Sequence, residues 1–188
     1  MGETHSSALL VMDVQPGIVD RLEQKDSYID KVTKAVAVAH KNHIPVLYVV
    51  VGFREGFPEI SPKNKSFSGI KDSQRAAMVN PQPVLALEKG DLVVVKHRVS
   101  AFSGSDLDML LRAQDIQHIV LSGIATSGVV LSTLREAADK DFQITVLSDL
   151  CADFDQQVHD VLVEKVFPRQ AEIMTSEQWM SIQKGHDV

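Results

Sequence analysis

The chain has one cysteine, Cys151, among 188 residues. That count excludes an intrachain disulfide and a thiolate metal site, and it fits a reducing compartment. Clustered Lys and Arg are missing too, and 19 basic against 25 acidic residues give a formal charge of -6. A nucleic-acid footprint would need a concentrated basic face. A small-molecule substrate is therefore expected, with no nucleic-acid and no membrane partner. No apolar run approaches the roughly 20 residues of a membrane span, and the N-terminus lacks a basic region followed by an apolar stretch and cleavage site. The expectation is a soluble, cytoplasmic protein. Met1-Gly-Glu-Thr-His-Ser6 fits the loose myristoylation pattern, but acidic Glu3 makes coincidence the better reading. Repeats, low-complexity tracts and composition breaks are also absent.

What is present describes one domain, with 44% hydrophobic and 23% charged residues over a length that supports a single substantial core. Apolar runs alternate with helix-period segments throughout, the pattern of a parallel sheet wrapped by helices. Strands are predicted at Ala8 to Met12, Val46 to Val51, Leu92 to Val95, Ile119 to Leu121, Phe142 to Leu147 and Ala171 to Met174. Ile29, Val32, Val36 and Ala39 recur at helical spacing, and Asn42-His-Ile-Pro45 ends that helix. Further helices are predicted near Ser105 to Gln114, from Leu131, at Asp155 to Val166 and at Glu177 to Gln183. The predicted fold is a single-domain three-layer α/β/α with a mostly parallel six-stranded sheet of Rossmann-like kind. Residues 52–90 depart from the alternation, being rich in Gly and Pro, with a little helix expected at Asp72 to Met78. Long irregular segments in compact domains are usually functional, so a lid or an oligomer contact is expected there.

Three features end predicted strands on what should be one edge of the sheet. Asp13 follows the first strand, Lys96 the third, and Gly123-Ile-Ala-Thr-Ser-Gly-Val-Val130 leads from the fourth into a helix. In a doubly wound sheet, ligands bind at that edge, where the strand order switches. An Asp after a strand is often only a cap or turn former, and a Lys there a solvated side chain. Convergence makes a chemical role more persuasive, because a carboxylate beside an ammonium above a low-dielectric sheet can exchange protons near neutral pH. The first amides of the helix lack intrahelical partners and can stabilise negative charge.

These residues resemble the isochorismatase-like hydrolases, also called the cysteine hydrolase superfamily, which includes nicotinamidases, carbamoylases and isochorismatase. The matching pieces are Leu10-Val-Met-Asp-Val-Gln15, Val94-Val-Lys-His-Arg-Val-Ser-Ala-Phe102, the stretch from Leu121 to Thr133, and Ser148-Asp-Leu-Cys-Ala-Asp153. The resemblance implies that Asp13 and Lys96 are catalytic and that the family cysteine falls at Val129. It also implies a non-proline cis peptide between Ile124 and Ala125, aiming the amides of Ala125 and Val129 into the pocket as an anion cradle. Members are usually dimers or tetramers, so a homo-oligomer is expected.

Two departures shape the functional expectation. Nicotinamidases of the family bind a metal through an Asp-x-His-type motif after the second strand, where this chain reads Val51-Gly-Phe-Arg-Glu-Gly-Phe57, so neither metal nor other cofactor is expected. Valine has no nucleophile, so the usual acyl-enzyme route is closed. Cys151 follows the fifth strand near the same edge, but a lone cysteine among apolar residues is most often a small buried hydrophobe. The leading expectation is a hydrolase using Asp13 as an acid, as the isochorismatase branch does on a vinyl ether, with Lys96 tuning it. Arg54 and Arg98 are candidates for substrate carboxylates, and Gln15 for orienting the site or capping the next turn. A catalytically silent binder of a small carboxylate or amide is the alternative, and an amidase using Asp-activated water a third reading.

Overall fold

The computed structural model describes residues 6–72 and 78–184. Its elements are β1 (Ser6–Met12), α1 (Lys25–Lys41), β2 (Val46–Val51), α2 (Ser68–Asp72), β3 (Leu92–Lys96), α3 (Leu107–Ala113), β4 (Ile116–Ile124), α4 (Leu131–Asp139), β5 (Gln143–Ala152), α5 (Gln156–Val161), β6 (Glu172–Met174) and α6 (Ser176–Lys184). The strands pair in the order β3-β2-β1-β4-β5-β6, and each of these pairings is parallel. Chain order therefore runs outward from β1 in one direction and then from β4 in the other. The carboxyl ends of β1 and β4 flank the switch point, where a crevice opens.

Strand periodicity builds the three layers. Successive side chains point to opposite faces, so Leu10, Met12, Leu47 and Leu121 pack with Leu107 and Leu111 of α3 and Leu134 of α4. Leu9, Val11, Tyr48 and Val120 face the other way, onto Val32 and Val36 of α1 and Trp179 of α6. A strand covered on both faces needs a continuous apolar run rather than an alternating one. Ala8 to Met12 is such a run, and it is almost fully buried.

β4 and β5 extend well beyond their predicted apolar runs. β5 continues through Ser148 and Asp149 to Ala152, because Cys151 and Ala152 pair with Gly123 and Ile124 beyond a register shift. The polar residues are tolerated there because they have partners. Ser148 Oγ donates to Met174 O at 3.3 Å, and Asp149 accepts from Ser176 N at 2.6 Å and Ser176 Oγ at 2.7 Å. The helix expected from Asp155 to Val166 is α-helical only in α5, where Asp155 caps the Gln157 and Val158 amides, and continues as a wider π turn over Leu162–Val166. Of the helix expected at Asp72 to Met78, residues 73–77 lie outside the described residues, and α2 stands just before them. The myristoylation pattern also begins outside the described residues. Among the described residues no helix is long and apolar enough to cross a membrane.

The irregular segment carries its own small core. Phe53, Phe57, Ile60, Phe67 and Met78 cluster with Val51 at the end of β2, and Phe53 meets Phe67 edge-on at 5.7 Å. Phe53 N also donates to Met78 O at 2.8 Å. The segment is thereby folded against the carboxyl edge of the sheet.

The switch point itself depends on Gly123. Its φ is +152°, and a Cβ there would lie 2.4 Å from Met12 O in the neighbouring strand. No side chain can yield, because the obstacle is backbone. Gly123→Ala should destabilise the protein by roughly 2–4 kcal/mol, read from urea denaturation midpoints at unchanged slope. A loss below about 0.5 kcal/mol, the range of an ordinary surface change, would show that β1 and β4 can separate without consequence.

Candidate active site

Asp13 leaves β1 in the left-handed region, with φ 58°, which a short polar side chain tolerates better than a branched one. Its amide still donates to Val49 O at 2.7 Å. The residue thus stays tied to β2 while its carboxyl group rises above the sheet edge. Lys96 arrives from the end of β3, with β2 lying between the two strands. Two strand spacings separate β1 from β3, roughly 10 Å, and the long lysine side chain crosses them. Lys96 Nζ meets Asp13 Oδ2 at 3.0 Å, with side chains only 2% and 8% exposed, and donates to Arg98 O at 2.9 Å.

The other carboxyl oxygen, Asp13 Oδ1, is buried without a hydrogen-bond partner. Asp13 lies on the wall of a cavity of about 390 Å³, together with Lys96, Ile124, Ala125, Gly128 and Val129. Burial pushes the Asp13 carboxyl above its ordinary value of 3.8, while the charge and hydrogen bond of Lys96 pull it back only in part. A carboxyl group so placed can hold a proton at higher pH than usual and pass it to a group in the cavity.

The opposite wall is the turn after β4. The Ile124–Ala125 bond is cis, at the position the family resemblance implies. Ala125 O accepts from Gly128 N at 3.0 Å and from Val130 N at 3.3 Å, forming a π turn over Thr126–Val130 rather than the plain helix start expected. The turn is fastened from outside. Thr126 Oγ1 shares a 2.8 Å hydrogen bond with His159 Nδ1, and Ser127 N donates to Asp153 Oδ2 at 2.7 Å. Val129 is 2% exposed, packed in the same apolar cluster as Ala101 and Leu134. Its side chain supplies no attacking atom.

The structure brings together Asp13, Lys96, Ala125 and Val129, but not the other candidates. Gln15 is fully buried and acts within the scaffold. Its Nε2 donates to Val51 O at 3.0 Å and its Oε1 accepts from Val51 N at 2.8 Å, extending the sheet where β2 ends. Arg54 points outward, 74% exposed and paired with Glu59. Arg98 spends its guanidinium on His97 O and Glu59 O. Only its carbonyl serves the site, through Lys96. Cys151 is buried, and burial pushes its thiol up to about 12. At the segment after β2, Phe53 is buried and Arg54 holds Glu59. Among the described residues no three His, Cys, Asp or Glu side chains gather as metal ligands.

Sequence reasoning missed Arg21, Lys65, Phe67 and Phe154, all on the cavity wall. Each lies in a connection after a strand or in the irregular segment. The usable signal was that loops at the carboxyl ends of parallel strands line the site; no local pattern separates these residues from surface ones.

Residues 7–178 match the family described as Isochorismatase domain. The chain is 31% identical over 175 residues to the isochorismatase family protein YwoC of Bacillus subtilis, covering 93% of this chain and 92% of that protein. It is 31% identical over 167 residues to the ureidoacrylate amidohydrolase RutB of Methylobacterium radiotolerans, covering 75% of this chain and 65% of that protein. A solved isochorismatase family protein from Burkholderia thailandensis superimposes with a TM-score of 0.81 at 26% identity, covering 95% of this chain and 96% of that one.

The raised Asp13 ionisation makes a signed prediction. Above its ordinary value of 3.8 the unfolded chain has released this proton while the folded protein still holds it. Stability contributed by Asp13 is thus complete below that value and is lost as pH rises through the folded one. The stability difference between wild type and Asp13→Asn, from denaturation at a series of pH values, should therefore shift against wild type as pH rises from about 4. A difference moving the other way would place the carboxyl below its ordinary value.

Proposed function

Because this chain belongs to the isochorismatase family, we propose that it is a hydrolase acting on a small molecule through acid–base chemistry at Asp13, with no covalent enzyme intermediate. The observation that carries this reading is Asp13 itself, on the cavity wall with Oδ1 buried without a partner, in a carboxyl group that burial pushes above its usual range. Val129 leaves nothing at the head of the turn to attack a carbonyl.

A vinyl ether of the isochorismate type suits this arrangement. Asp13 gives its proton to the terminal alkene carbon, and positive charge develops on the carbon bearing the ether oxygen. Water adds at that carbon and returns a proton to Asp13. The resulting hemiketal collapses to a ketone and an alcohol. Lys96 stabilises the carboxylate between the two proton transfers, and the amides of Ala125 and Val129 hold a substrate oxygen. Residues 52–72 and 78–90 act as the cover of the pocket, supplying Lys65, Phe67 and Met78 to its wall.

The resemblance to a ureidoacrylate amidohydrolase favours a second reading. There Asp13, ionised, takes a proton from water, which attacks an amide carbon whose oxygen rests on the same backbone amides.

Purified protein should turn over isochorismate, and Asp13→Asn should lower kcat by about 10²–10⁴-fold with an unchanged circular dichroism spectrum. Asp13-dependent turnover of ureidoacrylate alone selects the second reading. Ligand-induced stabilisation with no turnover of either compound leaves a binding protein and ends the acid-catalysis reading. Val129→Cys is expected to gain ureidoacrylate hydrolysis through a covalent route, with an acyl-enzyme adduct visible by mass spectrometry after acid quench. A folded variant with neither activity nor adduct would show that the remaining residues cannot support that route.

A further inference from the structure

Beyond the Asp13–Lys96 pair, the described wall of the catalytic cavity carries two more charged side chains, and both are cations, Arg21 and Lys65. The chain as a whole is acidic, at -6, so the cavity concentrates charge of the opposite sign. Arg21 ends the short helical turn Val19–Arg21 that follows β1. That turn is fixed by Val19, 1% exposed in the core, and by the Gly17 amide donating to Asp20 Oδ2 at 3.2 Å. The Arg21 guanidinium stacks over the Phe154 ring, 3.7 Å from its centroid. Among the described residues no carboxylate pairs with it. A guanidinium held by its face on an aromatic ring keeps its in-plane N–H groups available for a bidentate acceptor. Arg21 and Phe154 also border a second cavity of about 630 Å³. The stacked pair thus stands where the catalytic pocket meets the neighbouring one.

We propose that Arg21, held over Phe154, is the residue that selects substrates carrying a carboxylate, with Lys65 adding attraction for the anion. The inference rests on the reading of the Asp13 cavity as the substrate pocket. It assigns to Arg21 the recognition that sequence patterns pointed to at Arg54 and Arg98.

Calorimetric titration with an inert dicarboxylate ether, 3-(carboxymethoxy)benzoate, and with the uncharged diol of the same skeleton tests it without any turnover. The dicarboxylate should bind wild type at least about tenfold more tightly than the diol. Arg21→Gln should remove that preference, Arg21→Lys should keep the charge but only part of the affinity, and Phe154→Ala should weaken binding several-fold. These are exposed positions, and an unchanged unfolding midpoint checks the fold of each variant. Equal binding of dicarboxylate and diol, undiminished binding to Arg21→Gln, or no dicarboxylate binding at all overturns the assignment. Binding that depends on Arg21 in a protein without Asp13-dependent turnover would retain the anion site and reject only the acid-catalysis reading.

Discussion

An ammonium removed from water must find a countercharge or lose its proton. Lys96, 1% exposed at the end of β3, finds Asp13 at 3.0 Å. Much of the site follows from that pairing. Asp13 follows β1 and Lys96 ends β3, so the end of β2 between them must stay level with both. Gln15 holds it there by bonding both the N–H and the C=O of Val51. A buried pair whose members come from different strands is sensitive to sheet geometry, because losing either partner leaves an uncompensated group in a low dielectric. The pair satisfies only one carboxyl oxygen, and Asp13 lies on the cavity wall.

The second wall depends on a close approach rather than a charge. β1 and β4 meet at the switch point with Gly123 against Met12. The turn that follows is braced by Asp153 and His159, residues that come after β5. The helical turn bearing Arg21 follows β1, and Phe154 follows β5, so their stack bridges the two sides of the switch point. Five connections in all, those after β1, β2, β3, β4 and β5, contribute to one small volume. Each is positioned by a strand that is itself packed on both faces.

Legibility in sequence varied with the range of the interaction. β1 and β2 were plain, since doubly covered parallel strands are written as continuous apolar runs. Asp13 and Lys96 were legible because each ends such a run. The later parts of β4 and β5 were not, because Ser148 and Asp149 interrupt the apolar run and are satisfied only by Met174 and Ser176 of a neighbouring strand and helix. Gln15 shows the same limit from the other side. Its chemistry is compatible with ligand binding, but the unpaired end of β2 takes both of its amide groups.

Sequence alone determined the class of fold, the strand ends on which Asp13 and Lys96 stand and the absence of an attacking atom at Val129, because each is written in residue type and local period. Only the tertiary structure decided which cations face the cavity. Arg21, Arg54 and Arg98 are equivalent as residue types, with the same reach and the same donors. Glu59 engages Arg54 by its carboxylate and Arg98 by its backbone carbonyl, while Arg21 is held on a ring. A guanidinium is available to a ligand only when nearby acceptors leave its donors free, and those acceptors are set by contacts distant in sequence.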